Sequence, residues 1–246
     1  MRYLIVSDLH ANLEALEAVL AQSAGRYDRV LCCGDLVGYG ADPNVVCDWV
    51  RLNCLLVVRG NHDRASTGMD DLEWFNPVAR SAALWTQHTL SPENGDYIRA
   101  LPRGPVSIDG FQLFHGSPHD EDEYMIAASE AGQAFGYMES RLAFFGHTHI
   151  QGGFIWNQSR VETILRTPNR EDAQSMEIDL ACAYMLNPGS VGQPRDGDPR
   201  AAYCLYDYDA NRVTYHRVAY NIAAAQKKIH AAGLPPILAD RLAVGR

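Results

Sequence analysis

Three aspartates, an asparagine and five of the nine histidines of this chain fall within five short motifs. The motifs read Ser7-Asp8-Leu9-His10, Gly34-Asp35-Leu36-Val37-Gly38-Tyr39-Gly40, Gly60-Asn61-His62-Asp63, His115-Gly116-Ser117-Pro118 and Gly146-His147-Thr148-His149. Carboxylate, amide-oxygen and imidazole groups together suit Mn, Fe, Ni, Co or Zn, and so many imidazoles disfavour Mg. Two such ions held close together activate water and stabilise a phosphoryl group in transfer. Singly, the motifs say little: Asp-x-His pairs arise in any loop, and Gly-Asp is ordinary turn chemistry. His147 and His149 lie two residues apart, a spacing that after a strand sends both rings to one side. The conjunction carries the reading. Each motif directly follows an apolar run, and three of them open on a glycine that lets backbones approach closely.

The elements that must position these residues can be read next. Tyr3-Leu4-Ile5-Val6, Val30-Leu31-Cys32-Cys33 and Leu55-Leu56-Val57-Val58 are continuous apolar runs, as expected of strands covered on both faces. Between them lie a helix capped by Asn12, with Leu13, Leu16, Val19 and Leu20 as its apolar stripe, and a helix opened by Pro43. This alternation predicts parallel strands with right-handed crossovers. Pro77 opens another helix, with Asn76 placed to cap it, and a shorter one follows from Pro92. Asp109-Gly110 predicts a hairpin between Val106-Ser107-Ile108 and Phe111-Gln112-Leu113-Phe114. A helix over 129–140 precedes the strand Ala143-Phe144-Phe145. Two further hairpins are expected, one across Asn157-Gln158 and one across Asp209-Ala210-Asn211, and then a helix over 221–231 stopped by Gly233. Two sheets, each shielded by helices on its outer face, use every element. The expected fold is α/β, a four-layer α/β/β/α sandwich in a single domain over 1–246. Strand ends then carry the motifs, where ligands gather in open α/β sheets.

These motifs, from Ser7 to His149, resemble those of the calcineurin-like metallophosphoesterase superfamily. Gly-Asp-Leu-Val-Gly-Tyr-Gly, Phe75-Asn76-Pro77 and Asn187-Pro188-Gly189-Ser190 resemble its small prokaryotic phosphodiesterase and phosphatase branch. The resemblance implies that family's sandwich fold and two divalent metal ions bridged by Asp35. It adds Asp8, His10 and His149 to the first ion, and Asn61, His115 and His147 to the second. It implies hydrolysis of small phosphodiesters or phosphomonoesters by an activated hydroxide. His62 is implied at the leaving-group side, to protonate or stabilise the leaving oxygen, with Asp63 orienting its ring. Where larger phosphoprotein phosphatases carry Gly-Asp-x-x-Asp-Arg-Gly, this chain has Gly38 and Tyr39 and no arginine. That departure speaks against phosphoproteins, since arginine is the bidentate phosphate grip.

Tyr39, Asn76 and Arg80 are further residues for substrate contact, with Trp74 and Phe75 as a cap or wall. His88 and His230 are expected on helix surfaces and His216 outward on a strand; His119 is set aside, with the site entrance as the lesser alternative. Asp120-Glu121-Asp122-Glu123 reads as a helix lead-in or as a repeller of polyanions. The net charge of -9, without a basic stripe, excludes long nucleic acid as a partner and leaves a small phosphorylated substrate. No secretory leader or membrane-spanning run is visible, so no membrane partner and a cytoplasmic location are expected. Six cysteines without a Cys-x-x-Cys pair read as reduced thiols. Two rival functions are a dinucleoside polyphosphate hydrolase and a metal-binding scaffold of the same fold. The presence of His62 and of all seven implied ligands favours the enzyme.

Overall fold

The first apolar run forms β1 (Arg2–Val6), an inner strand of one of two six-stranded sheets in this computed structural model, which describes residues 1–165 and 172–246. β2 (Arg29–Cys32) and β3 (Cys54–Val57) extend it in parallel, after crossovers through α1 (Leu13–Ser23) and α2 (Pro43–Asn53). Asn12 caps α1 by accepting from the Ala15 amide at 3.2 Å. On its other side β1 pairs antiparallel with β11 (Ala201–Asp207), which pairs with β12 (Arg212–Val218) and that with β9 (Ala173–Glu177). The second sheet runs in the order β4 (Val106–Ile108), β5 (Phe111–Leu113), β6 (Leu142–Phe144), β10 (Ala183–Asn187), β7 (Gly152–Trp156), β8 (Val161–Leu165).

Alternation along β1 sets the layers. Tyr3 and Ile5 face the second sheet and pack with Phe111, Leu113, Phe144 and Leu186. Leu4 and Val6 face the other way, onto Leu16 and Val19 of α1 and Val46 and Val50 of α2. The outer face of the second sheet, with Ala143 and Met185, packs on Ala131 and Ala134 of α6 (Ala128–Ala134). Helix, sheet, sheet, helix is the expected α/β/β/α order. A further apolar cluster joins α4 (Pro77–Thr89) to α7 (Ile222–Ala231) and α8 (Pro236–Leu242), and Tyr39 belongs to it. α3 (Asn61–Ala65) and α5 (Pro92–Arg99) complete the helices longer than a single turn among the described residues.

Several expectations need correction. β9, β10 and α8 were not anticipated, and the helix over 129–140 is the shorter α6 followed by a one-turn 3-10 helix, Phe135–Tyr137. His216 points inward: it is 4% exposed and stacks on Tyr203 at 4.9 Å. All six cysteines are free, with Cys54 and Cys182 half-buried. No helix among the described residues is long and apolar enough to cross a membrane.

Candidate metal centre

All five motifs converge beyond the ends of β1, β2, β3, β5 and β6, where strand becomes loop. The turns are tight. Asp8, His10, Asp35, His147 and His149 all have positive φ, between 46° and 66°. Non-glycine residues adopt that region at a cost, and such strain concentrates at functional sites. Gly60 is required by closeness: a Cβ there would lie 2.1 Å from Asp35 Oδ1. The Asn187-Pro188-Gly189-Ser190 stretch holds the loops together. Asn187 Nδ2 donates to the Gly146 carbonyl at 2.8 Å and Thr148 Oγ1 at 3.0 Å, and Ser190 Oγ donates to the Asp8 carbonyl at 2.9 Å.

The ligand atoms form two groups, Asp8–His10–Asp35–His149 and Asp35–His115–His147, each with its atoms within 4.8 Å of one another. Asp35 is common to both. Its Oδ2 lies 3.6 Å from His10 Nε2 and 3.4 Å from His115 Nε2, whereas Oδ1 accepts the His62 amide at 2.9 Å. A single oxygen therefore faces both groups, rather than one oxygen facing each. His147 and His149 do not share a target. Their positive φ breaks the strand geometry, and His147 joins His115 while His149 joins His10.

A divalent cation fits these residues. Asp8 Oδ2, Asp35 Oδ2 and Asn61 Oδ1 are buried without a hydrogen-bond partner, a costly state for polar atoms unless something else satisfies them. Each imidazole is pinned at its outer nitrogen by a backbone carbonyl. His10 Nδ1 meets Val37 at 3.0 Å, His115 Nδ1 meets Cys33 at 2.7 Å, His149 Nδ1 meets Gln193 at 2.6 Å and His147 Nε2 meets Asp122 at 3.1 Å. Those bonds put a proton on the outer nitrogens and turn the inner ones, as lone pairs, to the centre. The inner nitrogens of His10 and His149 are 3.1 Å apart, and those of His115 and His147 3.2 Å. Facing lone pairs at that distance need positive charge between them.

Without an ion, protons take that role. Burial alone would lower His115, but the Asp35 and Asp8 carboxylates raise it to about 10. Burial would raise Asp35, and the imidazoles of His115, His62 and His10 hold its carboxyl well below the usual range. Burial pushes Asp8 up, against His115. A bound cation reverses that last effect.

His62 is 4% exposed, and burial pushes its imidazole down to about 4 against the pull of Asp35. Its Nδ1 has no partner and is turned in toward Gly38, and the residue lines an adjoining cleft. Asp63 does not orient that ring. Its Oδ1 accepts the Leu36 and Val37 amides at 2.9 and 3.3 Å, and its Oδ2 accepts the Gly60 amide at 2.9 Å. It ties the second motif to the third.

The cleft has a volume of about 530 Å³ and reaches from Asn61, His62 and His147 out to Trp74. Tyr39 lines it, its ring packed on His10 at 4.6 Å and His62 at 4.3 Å. Asn76 borders it, with its side chain accepting from the Val78 and Ala79 amides as the cap of α4. Arg80 is exposed and outside the lining, because it lies a helical turn beyond Asn76. His119 is not at the entrance either; it stacks on Tyr137 at 4.4 Å. The acidic run is no helix lead-in, since α6 begins only at Ala128. Its Glu121 is buried and paired with Arg59 and Arg64.

Two residues here were not foreseen. Tyr124 lies over His147, with ring centroids 3.9 Å apart. Arg195 reaches the Tyr39 hydroxyl from Nη2 at 3.4 Å and Gln193 Oε1 at 3.2 Å. Its signal in the sequence was an arginine soon after Asn187-Pro188-Gly189-Ser190, in the loop that follows β10.

A family model for the calcineurin-like phosphoesterase superfamily domain matches residues 1–211. An uncharacterized protein of Methanocaldococcus jannaschii is 36% identical over 254 residues, covering 98% of this chain and 97% of that protein. The crystal structure of a metallophosphoesterase from Sphaerobacter thermophilus is 42% identical, with a TM-score of 0.87 over 100% of this chain and 99% of that one. A hypothetical protein of Pyrococcus horikoshii OT3 shares the fold at 17% identity, with a TM-score of 0.78 over 100% of this chain and 98% of its own.

Proposed function

The chain belongs to the calcineurin-like phosphoesterase superfamily, a family of metal-dependent phosphoester hydrolases, and from that membership we propose that it hydrolyses small phosphomonoesters or phosphodiesters at a centre of two divalent ions. Asp8, His10 and His149 would hold one ion, Asn61, His115 and His147 the other, and Asp35 would contribute to both. The observation that carries the reading is Asp35 Oδ2, buried, without a hydrogen bond, and facing one imidazole of each group. Bound there, the ions supply Lewis acidity toward phosphoryl oxygen and acidify water.

The chain's own groups do the rest. The carbonyls of Val37, Cys33, Gln193 and Asp122 fix the four ligand rings, so their lone pairs need no reorganisation. Asp63 keeps the Asp35 and Asn61 loops in register. His62 would present Nε2 to the cleft as a neutral hydrogen-bond donor for the leaving oxygen. Tyr39, held by Arg195, walls the side next to His10.

Metal-loaded protein should hydrolyse p-nitrophenyl phosphate or its bis-ester, lose that activity to a chelator, and contain two metal equivalents. Asp35→Asn should cost more activity and more metal than Asp8→Asn, because only Asp35 belongs to both groups. One equivalent at saturation, or equal losses in the two variants, refutes the shared-ligand reading. Chelator-insensitive hydrolysis refutes the metal mechanism.

A further inference from the structure

Beyond His62 and Asn61, the cleft changes character. One wall is aromatic and apolar, made by Tyr39, Phe75, Trp74 and Ala79, with Tyr124 beside His147. Trp74 is 92% exposed, held at the rim by a single 3-10 turn whose Glu73 amide is capped by Asp71. Another part of the lining is acidic. Asp70, Asp71 and Asp122 line it, and the cation among them is Arg64.

Arg64 is not available to a substrate. Its guanidinium is bonded to Asp70 at 2.8 Å, to Asp122 at 2.8 Å and to the buried Glu121. Glu121 also takes Arg59, through two bonds of 3.0 Å. With Arg103, whose Nε lies 3.7 Å from Glu121, three guanidiniums face four carboxylates, which leaves this wall negative by one charge. The floor is the reverse, because two divalent ions outweigh Asp8 and Asp35. The cleft therefore runs from positive at the floor to negative at the rim over its length, with aromatic faces between.

Resting on the phosphoesterase reading, we propose that the site takes a single phosphoryl group at its floor and an organic group without negative charge in its outer half, a cationic one best. Aromatic faces beside carboxylates attract cations through both the ring quadrupole and direct charge. A second phosphate or a polyphosphate chain would lie against Asp71 and Asp122 and meet no free guanidinium on that wall. Anionic substrates are thus discriminated by the chain itself, and dinucleoside polyphosphates fit poorly.

Three aryl phosphates of matched shape test this: phenyl phosphate and its 3-carboxy and 3-trimethylammonio derivatives, with metal-loaded protein. KM isolates the remote charge, because leaving-group acidity acts mainly on kcat. The expected order of KM is trimethylammonio, then phenyl, then carboxy, with steps of about fivefold for each close charge pair. The spread should narrow in high salt and in Asp71→Asn/Asp122→Asn, with Asp71→Asn alone as the substitute if the double variant melts early. Equal KM values, or a lowest KM for the carboxy compound, overturn the proposal while leaving the phosphoesterase reading intact. If none is hydrolysed, the phosphomonoester part of that reading fails, and if the bis-ester is also untouched the phosphoesterase reading fails with it. The order is then read by calorimetry with the corresponding phenylphosphonates: the same order supports the graded cleft, and no order or no binding overturns it.

Discussion

A ring that gives a proton at neutral pH must hold one there, and His62 does not. Burial pushes it down to about 4, so the neutral form prevails above that value and no charge change of His62 falls between about pH 5 and 8. The sequence-based role of protonating the leaving oxygen therefore narrows to hydrogen-bond donation from Nε2, a fixed dipole aimed where charge develops. The kcat/KM profile should show no falling limb near the ordinary imidazole pKa that disappears on His62→Asn. His62→Ala should keep both metals and lower kcat by about 10²–10³-fold, the usual cost of one preorganised donor. His62→Asn, which retains an N–H donor, should recover part of the loss. A limb centred between about pH 6 and 7 in the wild type alone would restore the acid role.

The elements around the centre are loops whose geometry no single residue could announce. Residue types were legible because metal ligation demands carboxylates, imidazoles and an amide, and all seven implied ligands lie where the strands deliver them. Backbone was not. Asp63 follows His62, and adjacency suggested a ring partner, but α3 turns its carboxylate back onto three amides of two motifs. Strands covered on both faces were legible as apolar runs. β9 was not, since Ala173–Glu177 is mostly exposed and, among the described residues, an edge strand paired with β12 alone, so neighbours rather than its own pattern decide it. β10 is fully buried, yet Ala, Met and Leu in it are not strand formers by preference. The Asp63 clamp can be tested in metal-free protein by urea unfolding. Asp63→Ala leaves three buried amides without an acceptor, each costing about 1–3 kcal/mol, so it should destabilise more than Asp63→Asn, which keeps one acceptor oxygen. Equal stabilities of wild type and Asp63→Ala in chelator would mean that the loops hold without the clamp.

At the scale of the molecule, the centre lies where the two sheets meet. Asp8, His10, Asp35 and Asn61 leave the first sheet after β1, β2 and β3, while His115, His147 and His149 leave the second after β5 and β6. Each ligand group therefore draws on both sheets, so each ion would staple the sandwich at this end. The apolar layer between the sheets does not depend on that staple, and chelated protein should stay folded. Binding to the native state alone stabilises it by about 4 kcal/mol at a thousandfold excess over Kd. For a chain of this size that raises Tm by roughly 8–16 °C. The increment should be mostly lost in Asp35→Asn, which touches both groups, and partly in His149→Ala or His115→Ala, which touch one. It should also grow with pH. The raised pKa of His115 stabilises the metal-free fold below the ordinary imidazole pKa, and that contribution fades as pH climbs toward about 10. Metal must displace the same proton, so its affinity rises over the same interval. Thermal scans with and without chelator at two pH values measure both effects. An equal increment in all three variants, or one that shrinks as pH rises, would place the metal somewhere other than between the sheets.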